Sequence, residues 1–257
     1  MSRSFLTLSM LLAMICTAHA ELIFSTGNPD GLIAAASRIG SGAGAEIEAA
    51  DDFVLLAQTT ITSATFNGLI PSAVPVSGVN EVTVEIYRVF PLDSAPADGH
   101  VPTRTNSPSD VAFDSRDSAA NKLSAIAVVV NANFNGANSV LNGINPSPNY
   151  FTGGEGPISG TEIRISATFN PPIVLPPGHY FFVPQVLLSS GTFMWLSAPR
   201  PIVAPGTPFT GDLQAWIRNA NLDPDWLRIG TDIVGGATTY SLAFSLSDDT
   251  IFRNGFD

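Results

Sequence analysis

Clusters of Gly, Pro, Asn and Asp punctuate this chain so often that only short segments remain between them, and those segments are β-branched or aromatic. Twenty-two glycines and 20 prolines supply most of the breaks. The pattern belongs to packed antiparallel sheets rather than to alternating helices and strands. It is clearest at 81–90, where Val82, Val84, Ile86, Arg88 and Phe90 share one face and Glu81, Thr83, Glu85 and Tyr87 the other. One face should be buried and the other wet. Further strands are expected at 60–69, 123–131, 162–169, 179–188, 192–197 and 239–246. The spacing predicts an all-β fold, an antiparallel two-sheet β-sandwich that is jelly-roll-like, with long polar loops.

The first twenty residues carry a different signature. Arg3, an apolar run from Phe5 to Cys16, and the small-residue exit Ala18-His19-Ala20 before Glu21 read as a secretory signal peptide cleaved near Ala20. The run is shorter than the about 20 apolar residues of a resident transmembrane helix, and no later stretch approaches that length. The expected organisation is a signal at 1–20, an N-terminal extended segment at 21–49, one sandwich domain at 50–247 and a short tail at 248–257. Without Arg3, ten basic residues remain against 22 acidic ones, and Lys122 is the only lysine. Scattered arginines among a majority of carboxylates exclude a phosphate-tracking surface, so neither nucleic acid nor an anionic membrane is an expected partner. The single cysteine, Cys16, lies in the signal, with Ile15 rather than a small residue before it, which argues against lipid anchoring. Core packing and backbone pairing must therefore hold the fold without disulfides, and thiol chemistry and Cys-ligated zinc are excluded. The chain reads as a soluble, exported protein.

Two polar excursions, 94–121 and 133–160, are long enough to be either functional or merely mobile. A third, 198–237, carries Trp216, Ile217, Leu222, Trp226, Leu227 and Ile229, which argue that it packs, with a short helix near 212–219. Pro201, Pro205 and Pro208 favour an extended approach to it. There is no sustained repeat, which removes solenoids and propellers.

Ala50-Asp51-Asp52-Phe53, followed by Ile61-Thr62-Ser63-Ala64-Thr65-Phe66-Asn67-Gly68, resembles the body of exported bacterial β-sandwich proteins of the PEP-CTERM type. Leu175-Pro176-Pro177-Gly178-His179-Tyr180 resembles the turn before one of their late strands, and Tyr240-Ser241-Leu242-Ala243-Phe244-Ser245-Leu246 their closing strand. The resemblance implies a fold more than an activity. The Pro-Glu-Pro signature, terminal hydrophobic helix and basic tail of that group are missing here. In their place Ile251-Phe252-Arg253-Asn254-Gly255-Phe256-Asp257 resembles a terminal motif of secreted Gram-negative proteins; alternatively it finishes an edge strand and tucks Phe256 onto the body.

Candidate chemistry is sparse. Glu81 and Glu85 lie about 13 Å apart along a strand, beyond the ~5–9.5 Å of paired glycosidase carboxylates. Asp223 and Asp225 flank Pro224 beside Trp226; they either cap a turn or sit at the rim of a sugar or metal site. Glu46, Glu48, Asp51 and Asp52 are hard oxygen ligands of the kind that hold calcium, but their spacing is not that of an EF-hand, and a solvated acidic edge is the alternative. His100 and His179 have no G-x-S-x-G or H-E-x-x-H context, so no catalytic residue is assigned. Trp195 reads as core. Trp216 and Trp226 either stack on a ligand such as a sugar ring or close the end of the sandwich, and with Asp225 they form the candidate ligand-binding set. The expected function is noncatalytic binding of an extracellular glycan or surface polymer. The alternatives are a structural matrix or envelope protein that self-associates, and a hydrolase with an unrecognised site.

Overall fold

The structure is a computed structural model that describes residues 21–40, 44–89, 107–144, 150–202, 214–221 and 226–248. The expected signal at 1–20, residue His100, the pair Asp223 and Asp225, and the tail beyond Asp248 lie outside these described residues. In chain order the strands are β1 (Glu21–Ser25), β2 (Ile33–Ala36), β3 (Ile47–Leu55), β4 (Thr59–Ile70), β5 (Val79–Val89), β6 (Pro108–Asp117), β7 (Leu123–Gly136), β8 (Asn138–Val140), β9 (Ile158–Leu175), β10 (Gly178–Leu188), β11 (Met194–Ala198), β12 (Trp216–Asn219), β13 (Leu227–Arg228), β14 (Ser241–Leu242) and β15 (Phe244–Asp248). Among the described residues no helix is long and apolar enough to cross a membrane.

The strands form two packed sheets. In the first, β4 pairs along one side with β9, which carries β7 at the sheet edge. The other side of β4 pairs with β15 and then β11, leading to β1 and to β2 and β8. The second sheet has the order β13-β12-β3-β10-β5-β6. Pairing is antiparallel apart from β2 with β8, so the all-β, two-sheet sandwich expected from turn spacing is what the chain builds.

An aromatic layer joins the sheets. Phe182 of β10 stacks on Phe244 of β15, with centroids 5.0 Å apart and planes 5° from parallel. Phe24 lies 5.0 Å from Phe244, and Phe53 stacks on Tyr180 at 5.7 Å. Trp195 is fully buried, as its apolar neighbours predict, and its indole N–H donates to the Ala243 carbonyl at 2.9 Å. That bond removes the cost of burying the polar edge of the ring.

Several elements depart from expectation. The stretch 21–49 is not a separate extended lead-in: β1 pairs with β15, β2 lies between β11 and β8, and β3 starts at Ile47. Its apolar runs are only three to five residues long, too short to register as strands until a partner supplies the ladder. Residues 216–219 form strand rather than helix, because all four are buried and paired with β3, Trp216 and Ile217 pair with β13 as well, and so short a helix cannot compensate its nucleation cost. The excursion at 94–121 includes edge strand β6, and the one at 133–160 includes the end of β7 and β8. The far face of β5 is not simply wet, since Tyr87 is 3% exposed.

Gly68 shows how closely the aromatic layer approaches the backbone. A Cβ there would sit 2.2 Å from Phe193 Cζ and 2.7 Å from the Met194 carbonyl oxygen. Gly68→Ala is therefore expected to destabilise the protein by about 2 kcal/mol through overpacking. Adding Phe193→Leu should recover part of the loss, as measured by chemical denaturation.

Candidate functional site

Period two divides β3, β5, β10 and β12 between two environments. Ala49, Phe53, Val84, Phe182 and Ile217 enter the core between the sheets. Ala50, Tyr87, Phe181, Val183 and Trp216 point the other way and, with Trp226, form a second apolar cluster on the outer face of the six-stranded sheet. This cluster is the physical reason that face is covered.

A charged network runs through it. Register places Arg218 opposite Glu48, and the Arg218 Nε donates to Glu48 Oε2. Arg218 Nη2 donates to the Tyr87 hydroxyl at 3.1 Å, and that hydroxyl donates to Glu85 Oε2 at 2.7 Å. The guanidinium also lies 4.5 Å from the ring centroid of Trp226, close enough for cation–π attraction. Burial pushes Glu48 up to about 7, although Arg218 pulls it back down. Burial and the neighbouring Glu48 likewise raise the Tyr87 phenol.

The acidic stretch that suggested calcium does not converge. Glu46 accepts from Gln185 at 2.9 Å, and Glu48 is bound to Arg218. Asp51 turns into the core, where its carboxylate accepts from the backbone N–H groups of Leu242 and Asp52, and burial raises it well above the usual carboxylate range. Asp52 lies on the opposite face, 2.8 Å from His179 Nε2. Alternation along one strand separates these side chains, and among the described residues no group of three His, Cys, Asp or Glu is placed to hold a metal ion.

His179 is drawn down to about 4 by burial, so at neutral pH it is an uncharged imidazole. Its ring stacks on Phe181 at 5.6 Å. Among the described residues no hydroxyl or thiol is hydrogen-bonded to it.

Trp216 and Trp226 are 2% and 3% exposed. Trp226 donates its indole N–H to the Ser109 carbonyl at 3.0 Å and meets Tyr87 edge-on at 5.7 Å. Neither indole offers the open face that stacking on a sugar requires; both close the outer layer, the second of the two roles their sequence context allowed. The third member of the set, Asp225, lies outside the described residues.

An open aromatic surface occurs nearby instead. Strands β5 and β6 form a groove of about 440 Å³ lined by Arg88, Val111, Ala112 and Phe113. Phe113 is 41% and Val111 60% exposed. The Arg88 guanidinium lies 4.3 Å from the Phe113 centroid, and the Tyr180 ring 6.0 Å away supports the same phenyl. A bulge in the β5–β6 register between Asp114 and Ala112 accompanies this arrangement. Polar residues around Asp110-Val111-Ala112-Phe113-Asp114 hid it in the sequence; the apolar residues at 111 and 113 were the available signal. No family model matches the chain, and neither a curated protein nor a solved structure matches it.

The buried network makes stability depend on pH in opposing ways. Glu48 has a higher folded than unfolded pKa, so its contribution is complete below about 4.5 and lost as pH rises through about 7. His179 has a lower folded pKa, so its contribution is present above about 6.5 and lost as pH falls through about 4. The stability difference between wild type and Glu48→Gln should shift against wild type by up to about 3 kcal/mol between about pH 5 and about pH 7.5. Denaturant titrations check this; a constant difference would show that folded Glu48 is ionised throughout.

Proposed function

We propose that this chain is an exported, noncatalytic binding protein that takes a glycan or surface polymer at the Arg88–Phe113 groove. The observation that carries this reading is a half-exposed phenyl ring held between a guanidinium and a buried tyrosine. A ring fixed in this way presents apolar area at little entropic cost, and sugar C–H faces pack on such area. Arg88 brings several N–H donors to the same place for sugar hydroxyls. Among the described residues it has no carboxylate within ion-pair distance.

The formal net charge of -11 selects the ligand class further. A polyanion would be repelled by the protein as a whole, so the fitting partner is a neutral polymer recognised through hydroxyls and C–H faces. Binding should then vary little with salt. The signal-like N-terminus and the resemblance to exported sandwich proteins support encounter with such a polymer outside the cytoplasm.

A glycan array probed with the purified protein, with and without calcium, tests the reading. Neutral glycans should bind, and Phe113→Ala and Arg88→Gln should each weaken binding about tenfold or more while leaving the fold intact. Trp216→Phe, within the buried cluster on the sheet's outer face, should leave affinity unchanged. Silence from the folded protein across the array, or binding indifferent to both groove substitutions, would overturn it.

A further inference from the structure

Strand β6 changes face at its bulge. Ala112 pairs with Tyr87 and packs on the outer face of the sheet, whereas Asp114 pairs with Ile86, whose side chain enters the core. Phe113 is the extra residue between them, and its ring reaches Tyr180 and Arg88 on that same inner face. A regular strand would send Phe113 and Asp114 to opposite sides, but the bulge sets them side by side. Arg116 pairs with Val84 and returns to the same face. Phe113, Asp114 and Arg116 therefore follow one another along the inner face of the β6 edge, over about 10 Å.

Asp114 and Arg116 form an ion pair of their own, with Arg116 Nη1 donating to Asp114 Oδ1 at 2.9 Å. Their side chains are 20% and 15% exposed, so the pair lies near the surface but mostly out of water. Neither partner is saturated by the protein. Among the described residues the buried Nε of Arg116 has no acceptor. A carboxylate has about four lone-pair sites. Asp114 accepts from Arg116 and from the Ser115 backbone N–H, and Lys122 acts on it through its charge. Burial raises Asp114 above its ordinary value against the pull of Arg116, so the carboxylate lacks hydration that a ligand's hydroxyls would replace.

We infer that the Asp114–Arg116 pair determines the specificity of the Arg88–Phe113 groove, and that it selects neutral glycans whose units carry two adjacent free hydroxyls. The inference rests on the groove reading proposed above. An ion pair presents an acceptor and several donors side by side and has no net charge. That matches two hydroxyls, each able to donate and to accept, better than it matches an ion. One hydroxyl donates to Asp114 while its neighbour accepts from Arg116, and the apolar face of the ring lies on Phe113. A unit without the second hydroxyl leaves one member of the desolvated pair unanswered, and that loss discriminates against it.

Titration calorimetry with three neutral probes tests the inference: cellohexaose and mannohexaose, whose internal units keep two adjacent hydroxyls, and laminarihexaose, whose internal units keep none. The wild-type protein should bind the first two about tenfold or more tighter than the third. Replacing both partners, Asp114→Asn with Arg116→Gln, should weaken cellohexaose and mannohexaose about tenfold and bring all three probes to similar affinity. Phe113→Ala should instead weaken all three together. Chemical denaturation checks that each variant folds; if the double variant does not, Asp114→Glu, which moves the carboxylate by one methylene, should narrow the preference in the same direction. Equal wild-type affinity for the three probes, no binding of cellohexaose or mannohexaose, or a preference untouched by the substitutions at 114 and 116 would overturn the inference. Any of these, beside Phe113-dependent binding of another neutral glycan, leaves the groove reading standing, whereas failure of the folded protein to bind any neutral glycan removes both.

Discussion

The contact of Phe182 with Phe244 joins the two sheets, and the rest of the molecule is arranged around it. The rings come from β10 and β15, lie nearly parallel, and are bordered by Phe24 and Trp195. Phe53 and Phe66 extend the layer in the two sheets. With its single cysteine at position 16, the chain cannot form an intramolecular disulfide. The sandwich therefore depends on this apolar layer and on ladder hydrogen bonds, and small sites such as Gly68, where a ring approaches the backbone, become as important as the rings themselves.

The six-stranded sheet carries a second layer on its outer face, and this explains how charged residues come to lie inside the molecule. Burying Glu48 and Arg218 carries a desolvation cost that their mutual attraction only partly offsets. Tyr87, Glu85 and Trp226 satisfy or surround the remaining polar atoms, so the network aligns the outer aromatic residues. The same packing keeps Trp216 and Trp226 from solvent, while Phe113 at the neighbouring edge is an open aromatic ring. The open Arg88–Phe113 groove and the buried charge thus occupy adjoining parts of one sheet.

Much of the strand layout was legible because period two is kept where one face is buried. The segment at 81–90 matches β5, 60–69 matches β4 and 179–188 matches β10, each within a residue or two over the described positions. The site was less legible. Tyr87 alternates with Ile86 as a polar-face residue should, and it is buried by a cluster that includes the indoles contributed by β12 and the residue before β13. The acidic cluster misled for a related reason: adjacency in sequence puts Asp51 and Asp52 on opposite faces of a strand, and no composition argument reveals which partner waits on each face.

What the sequence determined by itself was local: frequent turn residues and alternating β-branched segments leave an antiparallel sandwich as the way to bury the apolar face, and a central run such as Phe193-Met194-Trp195-Leu196 belongs inside it. Only the tertiary structure decided which sheet each strand joins and which polar face is covered by a second layer. These depend on pairings between residues far apart in the chain, such as Trp216 with Ala50 and Phe244 with Phe66, and local periodicity carries no information about such partners.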